Sequence, residues 1–247
     1  MQSMGTFPGL PERSSASGVS GDGLTIVGST TSRAYRWTQA GGFQSLGTLP
    51  GSSFSTAVAV NGDGSAVVGH ATLGPGEVAI RWTESGGMQS LGNLGPAGTS
   101  STALAVSADG EVVVGNSAGR AFRWTSATGM VDLGLAPGAI SMEGFTISGN
   151  GLVAGGQANF STGPSAFVWT PSTGPIRVAD YFASINVNTF GWVFHQTSGM
   201  SHDGSVITGT GRYFGQELGW VATGVPGPST SALAIIAGLW VSRRRRC

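Results

Sequence analysis

Five turns carry most of the chemistry this chain could do: Asp22, Asp63, Asp109, Asn150 and Asp203, each followed by glycine. A turn aspartate can ligate calcium, transfer a proton or hold backbone N–H groups. Calcium takes about six to eight oxygen ligands, and one carboxylate per turn supplies too few. Cleavage of a glycosidic bond needs two converging carboxyl groups, which isolated turn residues do not indicate. His202 stands beside Asp203, but it fills the variable turn position held elsewhere by Gly21, Gly62, Ala108 and Gly149. It is therefore expected to be a solvated turn residue. His70 and His195 have no adjacent partner motif, and spacing alone does not define a Ser-His-Asp triad. Phosphate-loop, zinc-spacing and dinucleotide signatures are missing. Cys247 is the single cysteine, which rules out a disulfide or a cysteine-based metal site. The expectation is a protein without catalytic, cofactor or metal residues, and not an enzyme.

The elements that carry these turns repeat. Val19-Ser20-Gly21-Asp22-Gly23 recurs as Val60-Asn61-Gly62-Asp63-Gly64, Val106-Ser107-Ala108-Asp109-Gly110, Ile147-Ser148-Gly149-Asn150-Gly151 and Met200-Ser201-His202-Asp203-Gly204. Another glycine follows six places after the Asp or Asn: Gly28, Gly69, Gly115, Gly156 and Gly209. Asp-Gly and Asn-Gly between β-rich runs predict hairpins, because both residues tolerate positive φ. Next comes a tryptophan strand with Trp37, Trp82, Trp124, Trp169 or, in a degraded form, Trp220. In Ala34-Tyr35-Arg36-Trp37-Thr38, period-two alternation places Tyr35 and Trp37 on one face and Ala34, Arg36 and Thr38 on the other. A fourth strand, such as Gln44-Ser45-Leu46-Gly47, closes the unit. Repeats one to three keep both charges, so ion pairs are expected between Asp22 and Arg36, Asp63 and Arg81, and Asp109 and Arg123, which would spare an inward arginine from being buried unpaired.

Four short strands in roughly 45 residues is the blade period of a β-propeller. The predicted fold is all-β, with about five four-stranded blades or a fragment of a larger ring, plus a short C-terminal apolar helix. Residues 1–224 form the propeller domain, with repeats near 18–56, 57–102, 103–143, 144–196 and 197–224. Residues 1–17 are the end of a blade, since Met1-Gln2-Ser3-Met4-Gly5 aligns with Phe43-Gln44-Ser45-Leu46-Gly47. That alignment, with no leader ahead of Gln2, leads to the expectation that Met1 is an internal methionine of a longer protein. The same strand could also complete the blade begun at residue 197.

Composition supports this class. Forty-three glycines and 10% charged residues suit short strands and tight turns. All 12 basic residues are arginine and four lie in the last five positions, leaving the body acidic against 12 Asp and Glu. An acidic body is not expected to bind nucleic acid.

Residues 225–247 form a separate tail. Val225-Pro226-Gly227-Pro228-Ser229-Thr230 is a hinge, Ala232–Val241 is apolar, and Arg243, Arg244, Arg245 and Arg246 are a basic stop signal. The 14 residues from Ser229 to Ser242 would span about 21 Å as a helix, short of a hydrocarbon core of about 30 Å. The arginines would stay cytoplasmic, and so short a span would be a weak anchor that holds the inner membrane only transiently.

The repeats resemble the HAF repeat of bacterial extracellular proteins, which pairs a Val-Ser-x-Asp-Gly hairpin with an Ala-Phe-x-Trp strand. The stretch from Val178-Ala179-Asp180-Tyr181 to Gly191-Trp192 resembles the end of such arrays. The tail resembles the PEP-CTERM sorting signal, with Gly227 where that family usually has Glu. The resemblance implies export, processing by an exosortase-type enzyme near Pro228-Ser229-Thr230, and a cell-surface or extracellular location with a structural or binding role. Exopolysaccharide or other envelope material is the expected partner. The alternative is an extracellular glycan hydrolase or lyase using the propeller channel.

Overall fold

The computed structural model describes Met4 and residues 13–223. The sorting tail with its expected apolar helix lies outside the described residues, as does the expected N-terminal strand apart from Met4. The chain divides into two compact units, one running to Ala118 with Phe122–Asp132, the other comprising Gly119–Ala121 and the chain from Leu133 onward.

The first unit holds two complete sheets and most of a third. They are β1 (Ser15–Val19) to β4 (Gly42–Ser45) through β2 (Thr25–Ser29) and β3 (Ala34–Thr38), and β5 (Ser55–Val60) to β8 (Gly87–Gly92) through β6 (Ala66–Leu73) and β7 (Gly76–Thr83). The third is β9 (Ser101–Val106), β10 (Val113–Ser117), β11 (Arg120–Thr125) and β12 (Gly129–Asp132). In the second unit are β13 (Ser141–Ile147), β14 (Ala154–Phe160), β15 (Gly163–Thr170) and β16 (Gly174–Arg177), then helix α1 (Val178–Ser184), then β17 (Trp192–Met200), β18 (Val206–Tyr213) and β19 (Gln216–Thr223). Strands follow chain order within every sheet, and the fifth sheet has three strands among the described residues. These are antiparallel propeller blades. Repetition of one supersecondary unit explains why the blade pattern was readable from sequence.

Three local devices recur in the blades. Each Trp strand of the four-stranded sheets ends in a threonine (Thr38, Thr83, Thr125, Thr170), whose hydroxyl accepts the N–H three residues on, at 3.0 to 3.2 Å. That turn reverses the chain into the fourth strand. The first strand of every sheet carries a bulge, between Ala16 and Gly18, Ala57 and Ala59, Ala103 and Ala105, Gly144 and Thr146, and Thr197 and Gly199. An extra residue there strengthens the twist. It also drives a carbonyl toward the second strand, and this explains the glycine six places after each turn residue. A Cβ on Gly28, Gly69, Gly115, Gly156 or Gly209 would lie 1.9 to 2.0 Å from the carbonyl oxygen of Ser15, Thr56, Thr102, Glu143 or Gln196.

Blades bury their faces against one another. Ala34 packs with Val27, Leu46, Ala57, Val67 and Trp82, so the Ala face of the first Trp strand meets the Trp face of the second. Ala79, Val68, Leu91, Phe122 and Trp124 repeat that arrangement one blade on. In the second unit, Ala166 and Val168 pack with Phe194, Ile207 and Trp220, with Phe182 of α1 filling the same core. Buried serines tie these layers: Ser55 Oγ donates to the Gly47 carbonyl at 2.8 Å and accepts the Ala34 N–H at 3.0 Å. Ser101 does the same for Gly92 and Ala79, at 2.6 and 2.9 Å.

Gly115→Ala should therefore cost about 3 kcal/mol in urea unfolding, because backbone must move to admit the methyl. Gly219→Ala, whose Cβ would come no closer than 3.8 Å to a neighbour, should change stability by less than about 0.5 kcal/mol.

Candidate functional site

The repeated aspartates tie their own turns. Ser20, Ser107 and Ser201 donate from Oγ to Oδ1 of Asp22, Asp109 and Asp203 at 2.5 to 2.6 Å, and Ser148 donates to Asn150 at 2.7 Å. In the second repeat, Asn61 Nδ2 donates to Asp63 at 2.9 Å. Each Oδ1 also accepts the N–H two residues on, from Leu24, Ser65, Glu111, Leu152 or Ser205. In these turns Gly23, Gly64, Gly110, Gly151 and Gly204 take φ of 71 to 78°, while the Asp or Asn does not take positive φ. The carboxylate instead serves as a hydrogen-bond acceptor for the loop, as such side chains do in turns.

These hydrogen bonds hold the acids ionised. The Ser20 hydroxyl and the Leu24 N–H lower the pKa of Asp22, and Ser107 with Glu111 N–H does so for Asp109. Ser65 lowers Asp63, and Ser201 with Ser205 brings Asp203 down to about 2.

Turns also touch turns. Asp22 N–H donates to the Gly62 carbonyl at 3.1 Å, and Gly62 N–H to the Ala108 carbonyl at 3.1 Å. In the second unit, Asn150 N–H donates to the His202 carbonyl at 2.8 Å. The variable position is small because the next turn lies on it: a Cβ at Gly62 would sit 3.0 Å from Ala108 O, and one at Gly149 2.3 Å from His202 Nδ1. His202 is itself exposed.

The expected ion pairs within a repeat do not form; Arg36 and Arg81 serve the following repeat instead. Arg36 lies 5.4 Å from the Trp82 ring centroid and 3.7 Å from Glu84. Arg81 lies 5.8 Å from the Trp124 centroid, donates from Nε to the Gly110 carbonyl at 2.9 Å, and pairs with Glu111 at 3.1 Å. The physical reason is the face packing: the Ala and Arg face of one Trp strand meets the Trp face of the next blade, away from its own turn. Arg123 lacks this support. Its Nε is buried with no hydrogen-bond partner among the described residues, and burial lowers its pKa. In register, the fourth repeat carries Pro171 and Leu152 where the acids Glu84 and Glu111 stand in the second and third.

Between the second and third blades these groups line a groove of about 560 Å³, bounded by Ser65, Arg81, Glu84, Ser85, Asp109 and Glu111, with Thr83. Glu84 and Glu111 were not singled out in the sequence. The available signal was an acid two places after Trp82 and after Asp109, each in the repeat that follows an arginine.

Trp82, Trp124 and Trp220 are buried, while Trp37 and Trp169 are half-buried. His70 and His195 do have acidic neighbours, Glu77 at 3.6 Å and Glu217 at 3.5 Å, brought close by hairpins. Val225 to Thr230 and Arg243 to Arg246 lie outside the described residues. Among the described residues no group of three or more His, Cys, Asp or Glu is arranged to hold a metal ion, and no helix is long and apolar enough to cross a membrane.

The architecture defines an all-β protein of the β-propeller class, resembling the propeller domains of several solved structures. Putative TolB from Agrobacterium tumefaciens is similar with a TM-score of 0.55 at 15% identity, over 87% of this chain and 78% of that one. TolB from Acinetobacter baumannii gives 0.54 at 14% identity, over 86% of this chain, and the match spans about half (52%) of that protein. The tricorn protease gives 0.54 at 13% identity, over 84% of this chain and 21% of that one. No protein-family profile matches the chain, and no curated protein matches it.

Two predictions follow from the charges. Arg81→Met should lower stability by about 1–3 kcal/mol, the cost of losing a charge-assisted hydrogen bond to a buried carbonyl. Arg123→Met should cost less than Arg81→Met or raise stability, since it removes an unpartnered buried donor; urea unfolding of both variants gives the order. The depressed pKa of Asp203 means the unfolded chain binds more protons in acid. Its contribution is complete above about pH 4 and is lost as pH falls toward about 2. Asp203→Asn, which copies Asn150, should keep the turn and flatten the fall of the melting temperature between those pH values.

Proposed function

We propose that this chain is an exported, cell-surface or matrix-associated propeller with a structural or binding role, processed at its C-terminal signal. The repeats resemble the HAF repeat and the tail resembles a PEP-CTERM signal, which together suggest an exosortase-type enzyme as the processing partner and exopolysaccharide or envelope material as the environment. The observation that carries the structural part is where the repeat charges go. Oδ1 of each turn acid accepts two or three hydrogen bonds from its own loop, and Arg36 and Arg81 cross to the next blade. Such groups hold an array together.

A glycan-active enzyme is the second reading, and the groove beside Arg81 with Glu84, Asp109 and Glu111 favours it. A glycosidase acid must stay protonated near neutral pH. Asp109, whose pKa is lowered by Ser107 and the Glu111 N–H, could serve only as the ionised member of a catalytic carboxyl pair.

Expression of the full gene in its own host, followed by fractionation and intact-mass measurement, tests this. The expected result is protein at the surface or in the medium, lacking the segment beyond about Pro228. Uncut protein retained in the cytoplasm would overturn the reading.

A further inference from the structure

The fifth repeat departs from the other four at one end of its sheet, where aromatic residues gather. Helix α1 ends at Ser184; beyond its cap Asn186 takes φ of 59°, and Val187 N–H returns to the Phe182 carbonyl at 2.9 Å. The chain then turns through Asn188, whose Oδ1 accepts the Phe190 N–H at 2.9 Å, and through Gly191 at φ of 84°. Gly191 is required there: its carbonyl accepts the Phe214 N–H at 2.9 Å, and a Cβ would lie 2.6 Å from the Phe214 ring. Phe190 is thereby held against Phe214, ring centroids 5.6 Å apart.

The rings continue inward. Phe214 contacts Tyr213 at 4.7 Å, Tyr213 contacts Trp192 at 5.1 Å, and Trp192 stacks on Phe194 at 5.6 Å with planes 6° apart. Phe194 is buried against Phe182 and Trp220. The outer rings are thus anchored to the core, yet Phe190 is 78% exposed and Phe214 63% exposed.

The turn that carries Phe214 does not call for an aromatic residue. Phe214-Gly215 is a two-residue turn with φ of 46° and 83°, a shape that favours Asn-Gly and disfavours a bulky side chain. The corresponding β10–β11 turn is made by Ala118-Gly119, at φ of 55° and 71°. A large aromatic held at positive φ and left in water is the kind of strain and exposure that marks binding surfaces.

The chemistry beside the rings points to one ligand class. Trp192 and Tyr213 are a cross-strand pair, as are Tyr213 and Gln216, and so share a face. Its polar groups are a phenol, an indole N–H and an amide, all uncharged. The nearest charges in the hairpin, Arg212 and Glu217, pair with each other and by alternation belong to the opposite face. An anionic lipid surface or an anionic polymer calls for cations, which this face does not offer. Flat rings bordered by neutral hydrogen-bonding groups suit the apolar faces and hydroxyls of hexopyranoses.

We infer that the exposed faces of Phe190 and Phe214, set at 71° to each other and backed by Tyr213 and Trp192, form a platform whose individual rings stack on the sugar rings of a neutral polysaccharide. This rests on the surface-protein reading and gives that reading a site. Because the rings are fixed by the core, little order is lost on binding.

The test is calorimetric titration of the full chain with three neutral hexasaccharides (cellohexaose, maltohexaose and mannohexaose), a hexagalacturonate and phosphatidylcholine vesicles. Binding of at least one neutral hexasaccharide is expected, weakened about tenfold or more by Phe190→Ala and by Phe214→Asn. Both variants should keep the wild-type circular dichroism spectrum, and Phe214→Asn should melt no lower than wild type because it relieves the turn. If no neutral hexasaccharide binds, if both variants bind as wild type does, or if hexagalacturonate or vesicles bind in preference, the inference is overturned. A protein found at the surface that fails this titration loses the platform alone; retention in the cytoplasm removes the surface reading whatever the titration gives.

Discussion

A four-stranded sheet has two faces and cannot cover either by itself, and the rest of this structure follows from that constraint. The Trp strand meets it with two different faces. One carries bulky residues, Ile80 with Trp82 or Phe122 with Trp124; the other carries Ala34 or Ala79 with an arginine. Small against large lets consecutive blades approach closely, and the guanidinium closes the wet end of that layer by lying over the next tryptophan. The buried serines Ser55 and Ser101 and the turn-to-turn hydrogen bonds then fix the registration of neighbours already in contact.

The same constraint explains the glycines. Close layers need twisted sheets, and the twist comes with a bulge in each first strand. The bulge pushes one carbonyl into the neighbouring strand, where only hydrogen on Cα leaves room. The glycine six residues after each Asp is therefore a consequence of twist and not of the hairpin it follows. Gly21, Gly62 and Gly149 within the turns have a different cause, the carbonyl or ring of the adjacent turn.

Periodicity made the blade architecture legible, because alternation and repeat length are properties of one unit read many times. Partnerships that cross units were harder to read. Asp22 and Arg36 co-occur in a repeat, which suggested a pair; in fact Arg36 looks forward to Glu84, and the association in sequence reflects two separate ties. The pairing could have been found by asking which acid appears one repeat after each arginine. Helix α1 and the Phe190–Phe214 contact follow no repeat, so periodicity gave no signal for them. The exposed aromatics in that segment are visible only once the hairpin register brings residue 190 to residue 214.

The distribution of charge bears on function more than the fold does, since propellers serve many roles. In the repeats, most ionised groups are engaged locally: turn acids by their own loops, Arg36 and Arg81 by the next blade. An acid saturated with donors is a poor proton donor, and an arginine committed to a buried carbonyl is a poor ligand clamp. What remains available for recognition is surface that the repeats do not use. The fifth sheet provides it, because its helix and loop break the pattern and its turn accepts a strained phenylalanine. The proposed platform thus sits on the one described sheet whose flanking segment departs from the repeat, where the ring positions are set by the core of that sheet and not by the repeat.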